Sequence, residues 1–455
     1  MLIEELNDIL PFAAYQALSP LGRPFILSGS IECQKRYSYV GASPYSTITT
    51  QDKKTVVTGA QPRVEYKDPF EAASRIISES ARLDAPFPFC GGLVGYFGYD
   101  LNELIEPSLL HDDVPTKEPG TIPDCGLGLY DTVFVFDHAE AKGYVVSPHD
   151  NAGKVKLFKE LLIAKSNVVD RFHELYSPSK DASFTSNFTK EAYIEAIQKA
   201  QGYIAAGDIY QINLSQRLTM KITGDPFHLY ATLVKGHPAP FSSFMDFSGF
   251  QVISNSPERL LKIEGRAIET SPIKGTRRRG DTVDEDNALI EELKESVKER
   301  AEHVMIVDLE RSDLGQVAEP GSVKVIEFGR ISTFPHLHHM VSTIRGTLNP
   351  TIDAPKALRR VFPGGSITGA PKIRAMRIIA ELETGRRGLY TGALGWIGFN
   401  GDMDMAMAIR TAVVKDKLLH LFVGGGIVAD SKAEDEYEET LLKAADFIEA
   451  LGIKR

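Results

Sequence analysis

Glutamate side chains at four positions form the most suggestive chemical pattern in the chain. Glu258 stands in the segment SPERL between two strand-like runs, and Glu302 stands on a charged helical segment. Glu436 and Glu439 are three residues apart, which places them one turn apart on a predicted helix. Carboxylate oxygens without nearby His or Cys ligands suit a hard cation such as Mg²⁺. Taken alone, each glutamate is more typical of a solvated helix face, because Glu is rarely buried.

One lysine and two histidines are the other candidates for chemistry. Lys274, in the segment SPIKGTRRRG, is by itself typical of a surface lysine in a basic turn. His338 and His339 are adjacent, so their side chains point in different directions in a helix or a strand and make a poor metal pair. Together with the glutamates, these residue types indicate an enzyme that acts on small anions and uses Mg²⁺.

Two glycine-rich turns could bind an anionic group. The first spans residues 363–371, and its Gly364 and Gly369 match GxxxxG, but Ala-Pro follows where a P-loop needs Lys and Ser or Thr. Backbone N–H groups at the start of the next helix can still hold a carboxylate, with a plain tight turn as the alternative. The second spans residues 424–429 and matches GxGxxA, but the 29 residues after Gly426 are too few for a Rossmann unit. This second turn is a candidate lining for a small-molecule site.

Sheets must position most of these side chains. Up to about residue 150, short strand-like runs are broken by Gly, Pro and Asp, and the glycine spacing in residues 91–98 predicts a strand closely packed against another backbone. Residues 176–188 are rich in Ser and polar residues and predict a linker. We therefore divide the chain into an N-terminal region (1–150), a helix and linker (151–188) and a catalytic domain (189–455).

Four helices are predicted in the catalytic domain. One begins at the N-cap Thr189, a second spans residues 286–304, a third spans 371–382, and the last begins at a capping box in residues 431–434. The apolar stripe of the second helix consists of Ile290, Leu293, Val297, Ala301 and Val304. Strands far outnumber βαβ crossovers, which favours an α+β fold with large, mainly antiparallel sheets.

Composition excludes several classes of function. The 455 residues are 43% hydrophobic and 25% charged, which is typical of a soluble globular protein. A formal net charge of −10 argues against binding to nucleic acid or to an anionic membrane. No apolar run approaches the roughly 18–20 residues of a membrane span, and the N-terminus carries acids where a signal peptide has Lys or Arg. Three cysteines without a CxxC spacing are consistent with the cytoplasm.

Several sequence blocks in order resemble the chorismate-utilising enzymes, and together they span most of the chain. The blocks are GYFGYD (95–100), YQINLSQR (210–217), SPERL (256–260), PIKGT (272–276), AEHVMIVDLERSDLG (301–315), FPGGSITGAPK (362–372), GDMDMAMAIRT (401–411) and GGGIVADS (424–431). The resemblance implies a sandwich of large antiparallel sheets flanked by helices. One departure is Ser312, where the family usually has Asn, and it affects local hydrogen bonding.

Lys274 is the informative position within this family. Relatives that make anthranilate or isochorismate carry alanine at this point, whereas PIKGT marks the branch that aminates chorismate at C4. The resemblance therefore implies conversion of chorismate and ammonia to 4-amino-4-deoxychorismate, the precursor of p-aminobenzoate for folate. Amination at C2, which yields anthranilate, is the nearest alternative, and a catalytically silent subunit that binds chorismate or tryptophan is another.

The resemblance also implies roles for single residues. Glu302 and Glu439 match the Mg²⁺ ligands, with Glu436 as an additional candidate, and Glu258 matches the general acid for the departing C4 hydroxyl. Lys274 attacks C2 as an unprotonated amine or acts only as a base. The matched substrate-binding residues are Gly275, Thr276, Tyr390, Arg410, Gly424, Gly425 and Gly426.

Four further features follow from the resemblance. Gln211 replaces a lysine that activates water in isochorismate-forming relatives, and His339 matches a histidine near the reacting ring, with a structural role as its alternative. No cysteine stands on the glycine-flanked elbow of a glutaminase, so ammonia is expected from a separate glutamine amidotransferase subunit. Some relatives bind tryptophan in the N-terminal part. The residues that loosely match that pocket are Ser28, Pro240, Phe241 and Ser242.

Overall fold

The computed structural model of the chain describes residues 1–59, 64–80, 85–109, 121–166, 176–177 and 183–453. These residues form two twelve-stranded sheets in which the paired strands run antiparallel. The predicted α+β class with large antiparallel sheets is therefore confirmed.

The first twelve strands in chain order are β1 (Leu2–Leu6), β2 (Phe25–Leu27), β3 (Tyr37–Gly41), β4 (Ser46–Gln51), β5 (Lys54–Gly59), β6 (Val64–Tyr66), β7 (Gly92–Phe97), β8 (Cys125–Tyr130), β9 (Val133–Asp137), β10 (Lys142–Ser147), β11 (Phe184–Ser186) and β12 (Gln211–Lys221). The remaining strands are β13 (Phe241–Asp246), β14 (Gln251–Ser256), β15 (Arg259–Glu264), β16 (Ala267–Ser271), β17 (Ile273–Arg278), β18 (Lys324–Thr333), β19 (Leu337–Thr347), β20 (Gly369–Ala370), β21 (Ala393–Gly398), β22 (Met403–Met407), β23 (Thr411–Lys415) and β24 (Leu418–Ile427).

The helices are α1 (Pro11–Leu18), α2 (Pro69–Glu79), α3 (Asn102–Ile105), α4 (Ala152–Ser166), α5 (Lys190–Ala205), α6 (Pro226–Gly236), α7 (Val283–Glu295), α8 (Val297–Gly315), α9 (Ala354–Val361), α10 (Lys372–Leu382), α11 (Ala433–Lys443) and α12 (Ala445–Ala450). The order of the first sheet is β1-β10-β9-β3-β2-β13-β14-β23-β24-β12-β11, with β20 also paired to β12. The order of the second sheet is β17-β19-β16-β15-β22-β21-β7-β8-β4-β5-β6, with β18 on the other side of β19.

Apolar side chains from both sheets meet in a central core. Phe25 and Val252 of the first sheet share one buried cluster with Val94 and Leu394 of the second. The outer face of the first sheet is covered by α1, α4, α6 and α12, and that of the second by α2, α8 and α9. The chain is therefore a sandwich of two sheets flanked by helices.

The glycine-spaced run 91–98 forms β7 in the centre of the second sheet. Gly95 lies opposite Gly395 of β21, and a Cβ atom at Gly95 would collide with the carbonyl oxygen of Gly126. The predicted close packing of another backbone against this strand is confirmed.

Strands from residues 1–150 and 189–455 occur in both sheets. In the first sheet β2 pairs with β13, and in the second β7 pairs with β21. In the segment predicted as a linker, Phe184–Ser186 form β11, and residues 178–182 lie outside the described residues. The division of the chain into three segments stays a prediction.

Two of the four predicted helices are confirmed as single helices. Thr189 caps α5, because its side-chain oxygen accepts a hydrogen bond from the Ala192 N–H at 3.1 Å. The helix predicted at 371–382 is α10, with Pro371 at its N-cap.

The helix predicted over residues 286–304 is wrong as a single element. Ser296 leaves the helical conformation at ψ 107° and its side chain caps α8 through the Glu299 N–H, so α7 and α8 are separate. Val297 and Val304 of the predicted apolar stripe are 81% and 53% exposed. In the sequence, the helical pattern continues through this position, and Ser296, which can serve as an N-cap, is the one sign of the break.

The capping box predicted at residues 431–434 is also wrong. Lys432 is the N-cap of α11 and no side chain caps it, while the Ser431 hydroxyl donates a hydrogen bond to Glu436 at 2.7 Å. The predicted last helix is divided into α11 and α12 at Ala444. None of the helices in the described ranges is long and apolar enough to cross a membrane.

Candidate active site

Three consecutive glycines at the end of β24 form the floor of the candidate site. A methyl group added at Gly426 would lie 3.0 Å from Gln211 Nε2 and 3.2 Å from Lys274 Nζ. One added at Gly424 would lie 2.8 Å from the Tyr390 hydroxyl. These polar atoms from separate parts of the chain therefore converge on one stretch of backbone without side chains, where other groups can approach closely.

Lys274 lies on β17, where the pairing with β19 is irregular between Ile273 and Thr276. Gly275 supplies the positive φ of 81° at this irregularity. The Lys274 Nζ atom donates a hydrogen bond to Glu302 Oε2 at 3.0 Å, and both side chains are mostly buried. The break in the strand thus places an amine between the glycine floor and α8.

Glu258 is a buried carboxyl group that is poised to carry a proton. It lies in the short connection between β14 and β15 and is 6% exposed. Burial raises its pKa to about 7, against hydrogen bonds from Ser366 and the Ile273 N–H and the charge of Lys274, which lower it. The Ser366 hydroxyl donates to Glu258 Oε1 at 3.0 Å. A substantial fraction of Glu258 is therefore protonated at neutral pH.

The three glutamates predicted as metal ligands lie near the same lysines. Glu302 is 4.0 Å from Lys298, and Lys443, Lys274 and Lys298 together outweigh burial and lower the pKa of Glu439. Burial and the charge of Glu439 raise the pKa of Glu436. Within the described part of the chain, no three His, Cys, Asp or Glu side chains form a ready-made metal site. The oxygen donors and the repulsion between Glu436 and Glu439 nevertheless fit a hard divalent cation.

Thr276, His339 and Arg410 form a second group of predicted site residues. His339 Nδ1 and the Thr276 hydroxyl are 2.9 Å apart across the β17–β19 pair. Burial and the positive charge of Arg410 lower the pKa of His339 to about 3, so the imidazole is neutral. Arg410 lies 3.8 Å from Asp446 and remains partly exposed, so its guanidinium is available to an anionic ligand.

Gln211 is the clearest orphaned polar group at the site. Its side chain is 1% exposed, and among the described residues neither amide atom has a hydrogen-bond partner. Because burying an unpaired amide costs about 1–3 kcal/mol, Gln211 is a candidate to bind a ligand, an ordered water or an ion. Tyr390, also buried, stacks on Phe422 at 5.4 Å between ring centroids.

Two residues that contact this site are missing from the sequence-based predictions. Ser366 binds Glu258, and Glu310 accepts a hydrogen bond from the Ser366 N–H at 3.3 Å. Ser366 stands in the glycine-rich turn 363–371, which the sequence indicates as an anion-binding turn or a plain tight turn. A hydroxyl directly after the pair Gly364 and Gly365 is the one signal that could have indicated Ser366. Ser312, the departure from the family pattern, is exposed, while its neighbour Asp313 binds Lys372 at 2.6 Å.

The four residues predicted as a tryptophan pocket line a separate cavity of about 220 Å³. This cavity does not include Lys274 or Glu258. A charged pair that the sequence did not indicate also lines it, with Lys35 Nζ 2.7 Å from Asp404 and 3.9 Å from the centre of the Phe241 ring. The four residues thus share one cavity, and its role as a tryptophan pocket stays a prediction.

Comparison with known proteins gives a consistent set of relatives. A family model for chorismate binding enzymes matches residues 23–449. Anthranilate synthase component 1 of Aquifex aeolicus is 40% identical over 467 residues, covering 97% of this chain and 92% of the relative. Aminodeoxychorismate synthase component 1 of Bacillus subtilis is 38% identical over 430 residues, covering 92% of this chain and 90% of the relative. The crystal structure of anthranilate synthase component I from Streptococcus pneumoniae matches with a TM-score of 0.82 at 33% identity, covering 90% of this chain and 92% of that one.

Proposed function

The chain belongs to the family of chorismate-binding enzymes, and on that premise we propose that it is component I of an aminodeoxychorismate synthase. In this proposal it converts chorismate and ammonia to 4-amino-4-deoxychorismate. The observation that carries the proposal is the Lys274 amine, whose Nζ lies beside the glycine floor and whose charge acts on Glu258. A lysine at this point supplies a nucleophile that an alanine cannot.

The proposed reaction has two displacement steps. Lys274 Nζ bonds to C2 of chorismate while the C4–O bond breaks, and Glu258 gives its proton to the departing hydroxyl, which leaves as water. Ammonia then bonds to C4 while the bond between Lys274 Nζ and C2 breaks, which returns its electron pair to Nζ. The new C4 ammonium gives one proton to the Glu258 carboxylate, so both residues return to their starting forms. Two shifts of the ring double bonds therefore place nitrogen at C4.

The other site residues bind and orient the substrate in this proposal. Arg410 suits a carboxylate because its planar guanidinium donates two parallel hydrogen bonds. His339, whose imidazole is neutral near the charge of Arg410, and its partner Thr276 offer polar contacts to the substrate. Gln211 offers an uncharged amide, which does not activate water for attack on the ring. Glu302, Glu436 and Glu439 would hold Mg²⁺, which would neutralise the ring carboxylate of the substrate.

Anthranilate synthase component I is the second candidate. Two relatives with that name are 40% identical to this chain over 97% of its length, against 38% over 92% and 91% for two relatives named aminodeoxychorismate synthase. Such an enzyme would deliver ammonia to C2 and would need no covalent lysine. The two candidates differ in product and in the chemistry of Lys274.

A separate glutamine amidotransferase subunit is proposed as the ammonia source. The relatives are named component 1, which accords with a second component. The three cysteines, Cys33, Cys90 and Cys125, are buried, and burial raises the pKa of each thiol. A glutaminase needs an accessible thiolate, so these cysteines do not suit that role. We also propose that the enzyme acts in the cytoplasm.

Covalent trapping tests the proposal. Protein incubated with chorismate and Mg²⁺ without ammonia should gain the mass of chorismate minus water on the peptide that contains Lys274. The Lys274→Ala variant should gain nothing, while Lys294→Ala, which removes an exposed lysine of α7, should behave as the wild type. An adduct elsewhere, or full activity in Lys274→Ala, would contradict the proposal. Lost activity with no adduct in the wild type would assign Lys274 the role of a base.

A further inference from the structure

The carboxyl group of Glu258 accepts a hydrogen bond from a serine that takes no part in the proposed reaction steps. The Ser366 hydroxyl donates to Glu258 Oε1 at 3.0 Å, and the Ile273 N–H donates to the same carboxyl group. Two donors from different elements fix the plane of a carboxyl group and so fix the direction in which its proton is presented. Ser366 is partly exposed, as expected for a side chain at the edge of a substrate site.

Ser366 is in turn held by Glu310. The Ser366 N–H donates to Glu310 Oε1 at 3.3 Å, and the Thr270 hydroxyl donates to Glu310 Oε2 at 3.2 Å. Glu310 is 4% exposed, and each of its two carboxyl oxygens accepts one of these hydrogen bonds away from solvent. This glutamate thereby ties the glycine-rich turn 363–371 to α8 and β16.

A second buried carboxyl group completes the support behind Ser366. Asp313 lies one turn after Glu310 on α8 and accepts a hydrogen bond from Lys372 at 2.6 Å. Lys372 also donates to the Val361 carbonyl at 3.2 Å, at the other end of the glycine-rich turn. Lys372 therefore connects both ends of the turn that carries Ser366 with Asp313 of α8.

The charged groups that face Glu258 come from two directions. Lys274 approaches from β17 and favours the carboxylate form of Glu258, while Glu310 approaches from α8 and its own pKa is raised by the charge of Glu258. Behind Glu310, burial and the charge of Asp313 raise the pKa of Glu310, and Lys372 opposes that shift. Ser366 therefore stands between two carboxyl groups that interact electrostatically.

We infer that Ser366 and Glu310 are positioning residues for proton donation by Glu258, with Ser366 orienting its carboxyl group and Glu310 holding Ser366 in place. The inference rests on the proposed role of Glu258 in expelling the C4 hydroxyl. That role is the same whether nitrogen enters at C2 or at C4. Consumption of chorismate is therefore a sufficient readout.

The two residues should act on Glu258 in the same direction. The Ser366 hydroxyl donates to the carboxylate, so its removal should raise the pKa of Glu258. Burial raises the pKa of Glu310 to about 8, so Glu310 is mostly protonated where Glu258 titrates and acts through its hydrogen bond with the Ser366 N–H. Glu310→Ala removes that acceptor and should also raise the pKa of Glu258, whereas Glu310→Gln keeps an oxygen that accepts the Ser366 N–H and should leave it unchanged.

Profiles of kcat against pH for chorismate consumption, with Mg²⁺ and ammonium, test the inference. Ser366→Ala should reduce kcat about tenfold or more and leave KM within about twofold. The fall of kcat on the alkaline side of the profile, the basic limb, should move to higher pH by about one unit. Glu310→Ala should move the same limb in the same direction, and Glu310→Gln should leave it in place. Ser366→Thr, which keeps the hydroxyl, should restore the wild-type limb.

A loss of rate in Ser366→Ala or Glu310→Ala with no shift of the basic limb would overturn the inference and assign these residues a structural role only. A shift in Glu310→Gln as large as that in Glu310→Ala would also overturn it. If Glu310→Ala does not fold, the comparison of Ser366→Ala with Ser366→Thr decides the matter, since equal profiles for the two would overturn it. A wild-type enzyme that does not consume chorismate would overturn the proposed function and the inference together, whereas turnover without these shifts would overturn only the inference.

Discussion

At the scale of single residues, Glu258 combines a buried carboxyl group with a fixed orientation. Burial raises its pKa to about 7, which keeps a proton available where an exposed glutamate would be ionised. The same burial has a cost, because the folded protein disfavours the carboxylate form. Activity and stability should therefore respond to substitution of Glu258 in opposite directions.

We predict that Glu258→Gln reduces kcat for chorismate turnover about 10²–10⁴-fold, since Gln cannot donate a proton to the leaving hydroxyl. The folded-state pKa of about 7 lies above the usual 4.5, so the stability associated with the protonated form is full below pH 4.5 and is lost as the pH rises through 7. At pH 8, Glu258→Gln should therefore unfold in denaturant with a free energy up to ~3 kcal/mol higher than the wild type. A variant that is both active and no more stable would contradict this account of Glu258.

The resemblance to the chorismate-utilising enzymes, and not residue spacing alone, indicated most of the groups that converge on the glycine floor. Local sequence indicated Lys274 only as a surface lysine, and the matched family blocks singled out Lys274, Gln211 and Glu302. The structure brings these three together, while their chemical roles stay predictions. Ser366 and Glu310 were not identified, because their contacts are distant in sequence. The contact of Ser366 with Glu258 spans 108 residues, and that of Ser366 with Glu310 spans 56. Local sequence carries no information about which distant loop approaches a buried carboxyl group.

At the scale of elements, α8 and α11 present the predicted metal ligands to the same lysines. We predict that Glu302→Gln or Glu439→Gln raises the Mg²⁺ concentration for half-maximal activity at least tenfold, because each removes a charged oxygen donor. Titration of activity with Mg²⁺ measures the change, with Glu434→Gln, an exposed position on α11, as the matched control. Full wild-type activity in excess chelator would exclude the magnesium requirement.

A buried ion pair joins the loop before β21 to the elements around the site. Arg387 and Glu383 form two hydrogen bonds of 2.9 and 2.7 Å, and Arg387 also donates to the carbonyls of Ile367 and Asn213. We predict that Arg387→Met destabilises the protein by about 3–5 kcal/mol, since it leaves the Glu383 charge buried and unpaired. Equilibrium unfolding in urea measures this loss.

The double variant Arg387→Met/Glu383→Leu serves as the control for that ion pair. It removes both charges, so it should recover part of the stability lost in Arg387→Met alone. The single variant Glu383→Leu completes the comparison. If the double variant loses as much stability as Arg387→Met and Glu383→Leu added together, the destabilisation does not come from an unpaired charge.

Helix prediction succeeded where a cap coincides with the start of an apolar pattern and failed where a cap interrupts one. Thr189 stands directly before the stripe of α5, so both signals agree. Ser296 lies inside an apparently continuous stripe, and the geometry of the break turns Val297 and Val304 to the surface. A periodic pattern therefore identifies a helical region more reliably than it identifies the buried face.

At the scale of the whole molecule, strands from both ends of the chain are interleaved in two sheets, and residues 23–449 match one family model. The pairing of β2 with β13 and of β7 with β21 could not be predicted from the sequence, because each strand alone is compatible with many neighbours. The class of the fold was predictable, since short strands with few crossover helices favour antiparallel sheets.

We predict that glutamine supports turnover only after a glutamine amidotransferase is added, while ammonium suffices for the chain alone. The physical reason is that its three thiols are buried and unsuited to attack an amide. Assays with glutamine, with and without the second subunit, measure the difference. Glutamine-dependent product formed by the chain alone would contradict the prediction.

The identity of the product tests the central claim most directly. Purified protein given chorismate, Mg²⁺ and ammonium at alkaline pH should yield 4-amino-4-deoxychorismate, identified by chromatography and mass spectrometry, with the enolpyruvyl group retained. The account of Lys274 requires nitrogen at C4 and no release of pyruvate. Fluorescent anthranilate formed with an equal amount of pyruvate would contradict it and establish amination at C2.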